Sequence, residues 1–116
     1  MIDEVQSARA LDRFARNAVE LRRRAGLSQL DTGMRAGLHR TEVSMLERRL
    51  RMPRLDTVLR IAGGVEAEPW EVLEGLAWDL DRGRLWEARP EPGRYEVAVA
   101  GQRVTWEAGA WKRVGG

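Results

Sequence analysis

Residues 27–45, LSQLDTGMRAGLHRTEVSM, constrain this chain more than any other stretch. They read as a short helix, a tight turn and a second short helix. Ser28 is placed to cap the first helix, and Asp31 three residues on completes an S/T-x-x-D/E capping box. Gly37 sits where the chain must reverse. Beyond it, Val43 and Leu46, three residues apart, face inward. That leaves Arg40, Thr41, Ser44, Met45 and Arg48 on the outer side of the second helix. A helix presented outward with arginine and small polar side chains is what reading a DNA major groove requires.

A length of 116 residues allows one small domain and a modest extension. No apolar run is long enough to span a bilayer, so no membrane partner is expected. The opening MIDEVQSARA lacks the apolar core of a secretory signal, and a cytoplasmic location is the expectation. The chain has no cysteine and one histidine, which removes disulfides, thiolate metal sites and cysteine nucleophiles. No metal and no cofactor is expected. No set of nucleophile, base and oxyanion donors is visible either, so the chain does not read as an enzyme.

The net charge of +2 points to no partner, but its distribution does. Between residues 22 and 54 stand nine arginines against three acids, whereas residues 66–81 hold six acids and no base. The basic stretch coincides with the helix-turn-helix candidate, as a phosphate-facing surface would. Two solvated faces of opposite sign are the plainer reading.

Leu11, Phe14, Ala15, Ala18, Leu21 and Ala25 follow helical spacing, and Gly26 ends that run. The second helix is expected over residues 29–36 and the third over 40–48. Pro53 precedes a fourth, with Leu55, Val58, Leu59, Ala62 and Val65 as its stripe. Pro69 suits the first position of a fifth helix, with Leu73, Leu76 and Ala77 inward. After Asp79 the character changes. RPEPG (89–93) is a breaker cluster, and RYEVAVAGQRVTWEAGAWKRV alternates with period two. Tyr95, Val97 and Val99 share a face, Gly101 is at a turn, and Val104 and Trp106 return. A further return runs through Ala110 to Val114. The expected fold is mainly α: five helices over residues 1–80, then a small antiparallel β hairpin or meander over 81–116 for dimerisation or sensing.

The segments LRRRAGLSQ (21–29), AGLHRTEVSMLER (36–48), LDTVLRIA (55–62) after Pro53, and PWEVL (69–73) occur in a familiar order and spacing. Together they resemble the phage-repressor/Cro-type, or xenobiotic-response-element-like, helix-turn-helix family. The resemblance implies a sequence-specific DNA-binding regulator, usually a repressor acting as a homodimer on a pseudo-palindromic operator in double-stranded DNA. Carried over by residue, it implies that Arg40, Thr41, Ser44 and Met45 reach base edges. It places Ser28, Gln29, Arg48, Arg49, Arg51 and Arg54 against the DNA backbone. It also implies a structural ion pair between Arg22 and Glu47.

Some positions depart from the family's pattern. Thr32 and Gly33 stand where it has leucine and alanine, which would loosen the second helix unless Met34 compensates. Arg49 and Glu66 replace helix-ending glycines, so those turns are expected to differ. His39 stands at a usual serine or threonine cap. Glu42 would repel phosphate unless it accepts from a cytosine amine.

The alternative reading is a protein-interaction module, antitoxin-like or accessory, that keeps the fold without sequence readout. A toxin or other protein partner is not identifiable from sequence. Trp70 and Trp78 are expected in the core or a dimer interface. Trp86, Trp106 and Trp111 suit burial by the sheet or its partner better than a ligand box. Asp79 and Asp81 lack a companion base and read as a helix end.

Overall fold

The computed structural model describes residues 4–87, 95–107 and 110–113. Five helices come first: α1 (Glu4–Arg24), α2 (Gln29–Ala36), α3 (Arg40–Glu47), α4 (Leu55–Gly64) and α5 (Pro69–Val72). Five strands follow: β1 (Leu76–Asp79), β2 (Arg84–Glu87), β3 (Tyr95–Val99), β4 (Gln102–Glu107) and β5 (Ala110–Arg113). The chain is mainly helical with a small sheet after the helix-turn-helix region, as the sequence predicts. It divides into two compact units, Phe14–Leu73, and Met1–Arg13 with Glu74–Gly116.

In the unit Phe14–Leu73, α1 contributes Phe14, Ala15, Ala18 and Leu21 to the core, the spacing read from the sequence. Val43 and Leu46 of α3, and Val58, Ile61 and Ala62 of α4, complete it with Val65 and Val72. The stripe expected for α4 is partly overturned. Leu55 and Leu59 are 80% and 52% exposed, and Ile61 is buried in their stead. Helix α5 is a single turn. Glu71 Oε2 accepts from the Glu68 N–H (2.9 Å), and Pro69 occupies the first position. The Arg24 guanidinium, bonded to Glu71 at 2.9 Å, and the Glu68 N–H hold the Glu71 carboxyl below its ordinary pKa. Asn17 Nδ2 donates to the Val72 carbonyl (2.9 Å), fixing the end of α5 to α1.

The sequence predicts a fifth helix that reaches Ala77. Instead α5 ends at Val72, Gly75 in the turn beyond it adopts a left-handed φ of 83°, and residues 76–79 form β1. Asp79 is therefore a strand end and not a helix end. Trp70 and Trp78, 37% and 42% exposed, are not core residues.

In the unit Met1–Arg13 with Glu74–Gly116, the strand order is β2-β1-β3-β4-β5. Tyr95 pairs with Trp106 and Val97 with Val104, then Trp106 with Trp111, which is the meander expected from the period-two pattern. Strands β1 and β2 form an additional antiparallel hairpin, and β1 joins the meander by parallel pairing with β3. Asp79 closes the hairpin turn: its Oδ1 accepts from the N–H groups of Asp81 (3.0 Å) and Arg82 (3.1 Å). Asp81 Oδ2 accepts from the Gly101 N–H. Both carboxylates hold turns together. Arg13 Nε donates to the Glu74 carbonyl (3.1 Å) at the start of the sheet. RPEPG (89–93) and the side chains of Trp86, Trp106 and Trp111 lie outside what the structure describes.

The turns after α3 and α4 keep a left-handed residue without glycine: Arg49 has φ 61° and Glu66 φ 58°. The left-handed conformation costs a non-glycine residue about 1–2 kcal/mol. Glycine loses about 0.5–1 kcal/mol through its own backbone entropy. The Arg35–Glu66 ion pair (2.8 Å) is solvent-exposed and contributes little. Glu66→Gly is therefore expected to stabilise the chain by about 0.5 kcal/mol, raising its thermal midpoint by a few degrees at most. A lower midpoint would mean that the Arg35 pair matters more than the strain.

Candidate nucleic-acid interface

The first helix of the motif begins where the side chains dictate. Ser28 Oγ accepts from the Asp31 N–H (3.0 Å), and Asp31 Oδ2 accepts from the Ser28 N–H (3.4 Å). The helix ends at Gly37, whose left-handed φ of 71° lets the Gly37 and Leu38 N–H groups both donate to the Gly33 carbonyl. Gly33 explains one departure from the family pattern. A Cβ there would sit 2.6 Å from the Leu38 carbonyl oxygen, so glycine permits the close approach of turn and helix. Gly33→Ala must push the turn outward and is expected to cost about 1–3 kcal/mol. Unfolding in urea measures it, and an unchanged midpoint would show that the turn yields freely. Thr32 is buried with its hydroxyl unbonded, and Met34 is 75% exposed and so does not fill in for it.

Helix α3 is anchored by Val43 and Leu46, both buried. Its outward side carries Arg40 and Thr41, exposed, and Ser44 and Met45, half-buried. His39 caps it: Nδ1 accepts from the Thr41 N–H (3.1 Å) and lies 2.9 Å from Thr41 Oγ1. Glu42 Oε1 in turn accepts from the His39 N–H (3.3 Å). Glu42 is thus engaged in its own helix cap, rather than free to meet a phosphate or a cytosine amine. The sequence showed His39 at the cap position but gave no sign of its contact with the Thr41 hydroxyl.

Beneath this face lies a charged cluster. Arg22 donates through Nε to Glu47 Oε2 (2.7 Å) and through Nη2 to Oε1 (2.9 Å), while its Nη1 donates to the Leu27 carbonyl (2.9 Å). The hydrogen bond to Glu47 raises the Arg22 pKa above its already high ordinary value, against the opposing effect of burial. Gln29 Nε2 also donates to Glu47 Oε1 (3.1 Å). The Gln29 side chain, expected against phosphate, is therefore occupied.

Arg48, Arg49, Arg51 and Arg54 all lie exposed at the end of α3 and in the loop after it. Arg54 pairs with Asp56 (3.2 Å), which also pairs with Arg60 (3.4 Å). Arg60 Nη1 donates to the Gly37 carbonyl (3.1 Å), tying α4 to the motif's turn, a contact with no signal in the sequence. Among the described residues, Arg40, Arg48 and Arg51 have no ion-pair partner. A row of exposed arginines beside an outward helix can neutralise phosphates while the helix lies in a groove. Among the described residues no group of three or more His, Asp or Glu could hold a metal, and no helix is long and apolar enough to cross a membrane.

The HTH_3 helix-turn-helix family matches residues 20–64. Among solved structures, the restriction-modification controller protein C.AhdI from Aeromonas hydrophila is 35% identical, with 53% of this chain covering 94% of that one at a TM-score of 0.52. An HTH_3 family transcriptional regulator from Vibrio cholerae is 26% identical at a TM-score of 0.55; 57% of this chain covers 37% of it. The wild-type restriction-modification controller C.Esp1396I is 25% identical, with 51% of this chain covering 77% of that one at a TM-score of 0.50. Comparison with curated proteins gives no match.

Proposed function

This chain belongs to the HTH_3 helix-turn-helix family of DNA-binding transcription regulators, and from that membership we propose that it is a sequence-specific repressor acting as a homodimer on a pseudo-palindromic operator. One observation carries the reading: α3 turns Arg40 and Thr41 to solvent, and Arg40 has no ion-pair partner among the described residues. Arg40 makes a bidentate contact to guanine, Thr41 and Ser44 read neighbouring base edges, and Met45 packs on a thymine methyl. Ser28 and the Gln29 backbone N–H meet phosphate at the start of α2. Arg48, Arg49, Arg51 and Arg54 anchor the flanking backbone. Two copies place their α3 helices roughly 34 Å apart on one face of the duplex and occlude it.

The exposed Leu55 and Leu59, one turn apart on α4, favour a protein contact as well. A second copy of this chain is the partner proposed there, with the sheet as a supporting or sensing element. The likeness to controller proteins of restriction-modification systems directs attention to the promoter of the chain's own gene and its neighbours. The test is selection of duplexes from a random library at near-physiological salt. An enriched inverted repeat supports a sequence-specific dimer. Weak binding with a steep salt slope and no motif would leave phosphate attraction alone. The interaction-module reading would then take its place.

A further inference from the structure

A threonine hydroxyl facing a base edge is ambivalent, because it has one proton to give and two lone pairs to receive. Left free, it satisfies donor and acceptor edges alike. Thr41 is not left free. Its backbone N–H can only donate, so the His39 Nδ1 that faces it at 3.1 Å carries no proton. The ring proton therefore resides on Nε2. The same unprotonated Nδ1 lies 2.9 Å from Thr41 Oγ1, so in that contact the hydroxyl is the donor. Glu42, the other acceptor at this helix end, is turned to the His39 N–H (3.3 Å) and completes the cap from its far side. With its proton directed at the imidazole, Thr41 offers only lone pairs outward. Both residues are exposed, and Thr41 lies on the outward side of α3 with Arg40.

We infer that His39 is a positioning residue that makes Thr41 an acceptor-only reader, and that the base edge Thr41 meets carries an exocyclic amine, adenine N6 or cytosine N4. This rests on the proposal that Thr41 faces bases, and it adds a chemical selectivity that a threonine alone lacks. His39 acts through Thr41 and needs no base contact of its own.

The experiment uses the full chain and a selected duplex. Site selection with the wild type and with Thr41→Val identifies the position at which the valine variant ceases to discriminate. In a synthetic duplex the base there is replaced by its analogue without the amine, purine for adenine or 2-pyrimidinone for cytosine. Loss of that one hydrogen bond is expected to weaken wild-type binding roughly fivefold to tenfold and to leave Thr41→Val unaffected. His39→Asn supplies an amide oxygen near the position of Nδ1 and keeps the amine preference. His39→Ala frees the hydroxyl proton, so that donor and acceptor edges are tolerated at that position alone. A merely structural cap would lower helical content and affinity at every position without changing this preference.

Equal losses for wild type and Thr41→Val on amine removal would overturn the inference. So would an enriched motif with no position sensitive to Thr41, or an unchanged amine preference in a folded His39→Ala. Failure of the wild type to enrich any motif would instead overturn the DNA-reading proposal, and this inference with it.

Discussion

Arg22→Ala is expected to destabilise the helical unit by about 3–5 kcal/mol, a large part of what a small domain possesses. Glu47 is only 7% exposed at its side chain and accepts two hydrogen bonds from Arg22. Removing the guanidinium leaves that carboxylate with the single Gln29 amide in a site that water scarcely reaches. The Leu27 carbonyl in the turn between α1 and α2 loses its donor too. Because the Arg22 pKa is raised in the folded state, its contribution is complete below its unfolded value and fades only in strong alkali. The loss should therefore be the same across neutral pH. Urea unfolding followed by circular dichroism measures it. Arg22→Met combined with Glu47→Leu should recover most of the stability, since no charge is then stranded. A loss below about 1 kcal/mol for Arg22→Ala would mean the pair behaves as a solvated surface bridge.

The second large effect is on recognition. Arg40→Ala with Thr41→Ala should reduce affinity for the selected operator by about 2–4 kcal/mol, as expected for one bidentate and one single base contact. Both residues are exposed, so the fold should be almost unchanged. Binding to unrelated duplex should persist, because the loop arginines proposed to face phosphate remain. The dependence on salt should stay close to that of the wild type, whereas Arg51→Ala should reduce the logarithmic slope by about one. Titrations of both variants at several salt concentrations separate the two effects. If the double variant binds the operator as tightly as the wild type, α3 does not read the groove.

Helices α2 and α3 are legible because side chains mark their ends. Ser28 and Asp31 open the first and Gly37 closes it, and α2 spans the residues expected. The stripe of α4 is harder. The positions 55, 58, 59, 62 and 65 share three residues with the buried line 58, 61, 62 and 65. Spacing alone fits both, and hydrophobicity does not distinguish a core from a surface awaiting a partner. Residues 76–79 misled for a related reason. LAWD is too short for periodicity to separate strand from helix, and its pairing with β2 and β3 has no mark within those four residues. The parallel pairing of β1 with β3 has no local signal, since it depends on a strand reached through a further hairpin. On α3, the sequence showed which residues face outward. It carried no sign that Gln29 would turn to Glu47, or that His39 would bond the Thr41 hydroxyl, because those contacts arise from rotamers chosen in three dimensions.

The unit Met1–Arg13 with Glu74–Gly116 is assembled from two separated pieces of chain. During synthesis, at about 5–20 residues per second, residues 14–73 emerge with all the partners their own core requires. Residues 4–13 of α1 are grouped with the strands, and the rest of that helix with residues 14–73. Helix α3 is thus complete while the strands of the other unit are still being made, and the sheet is the last structure to close.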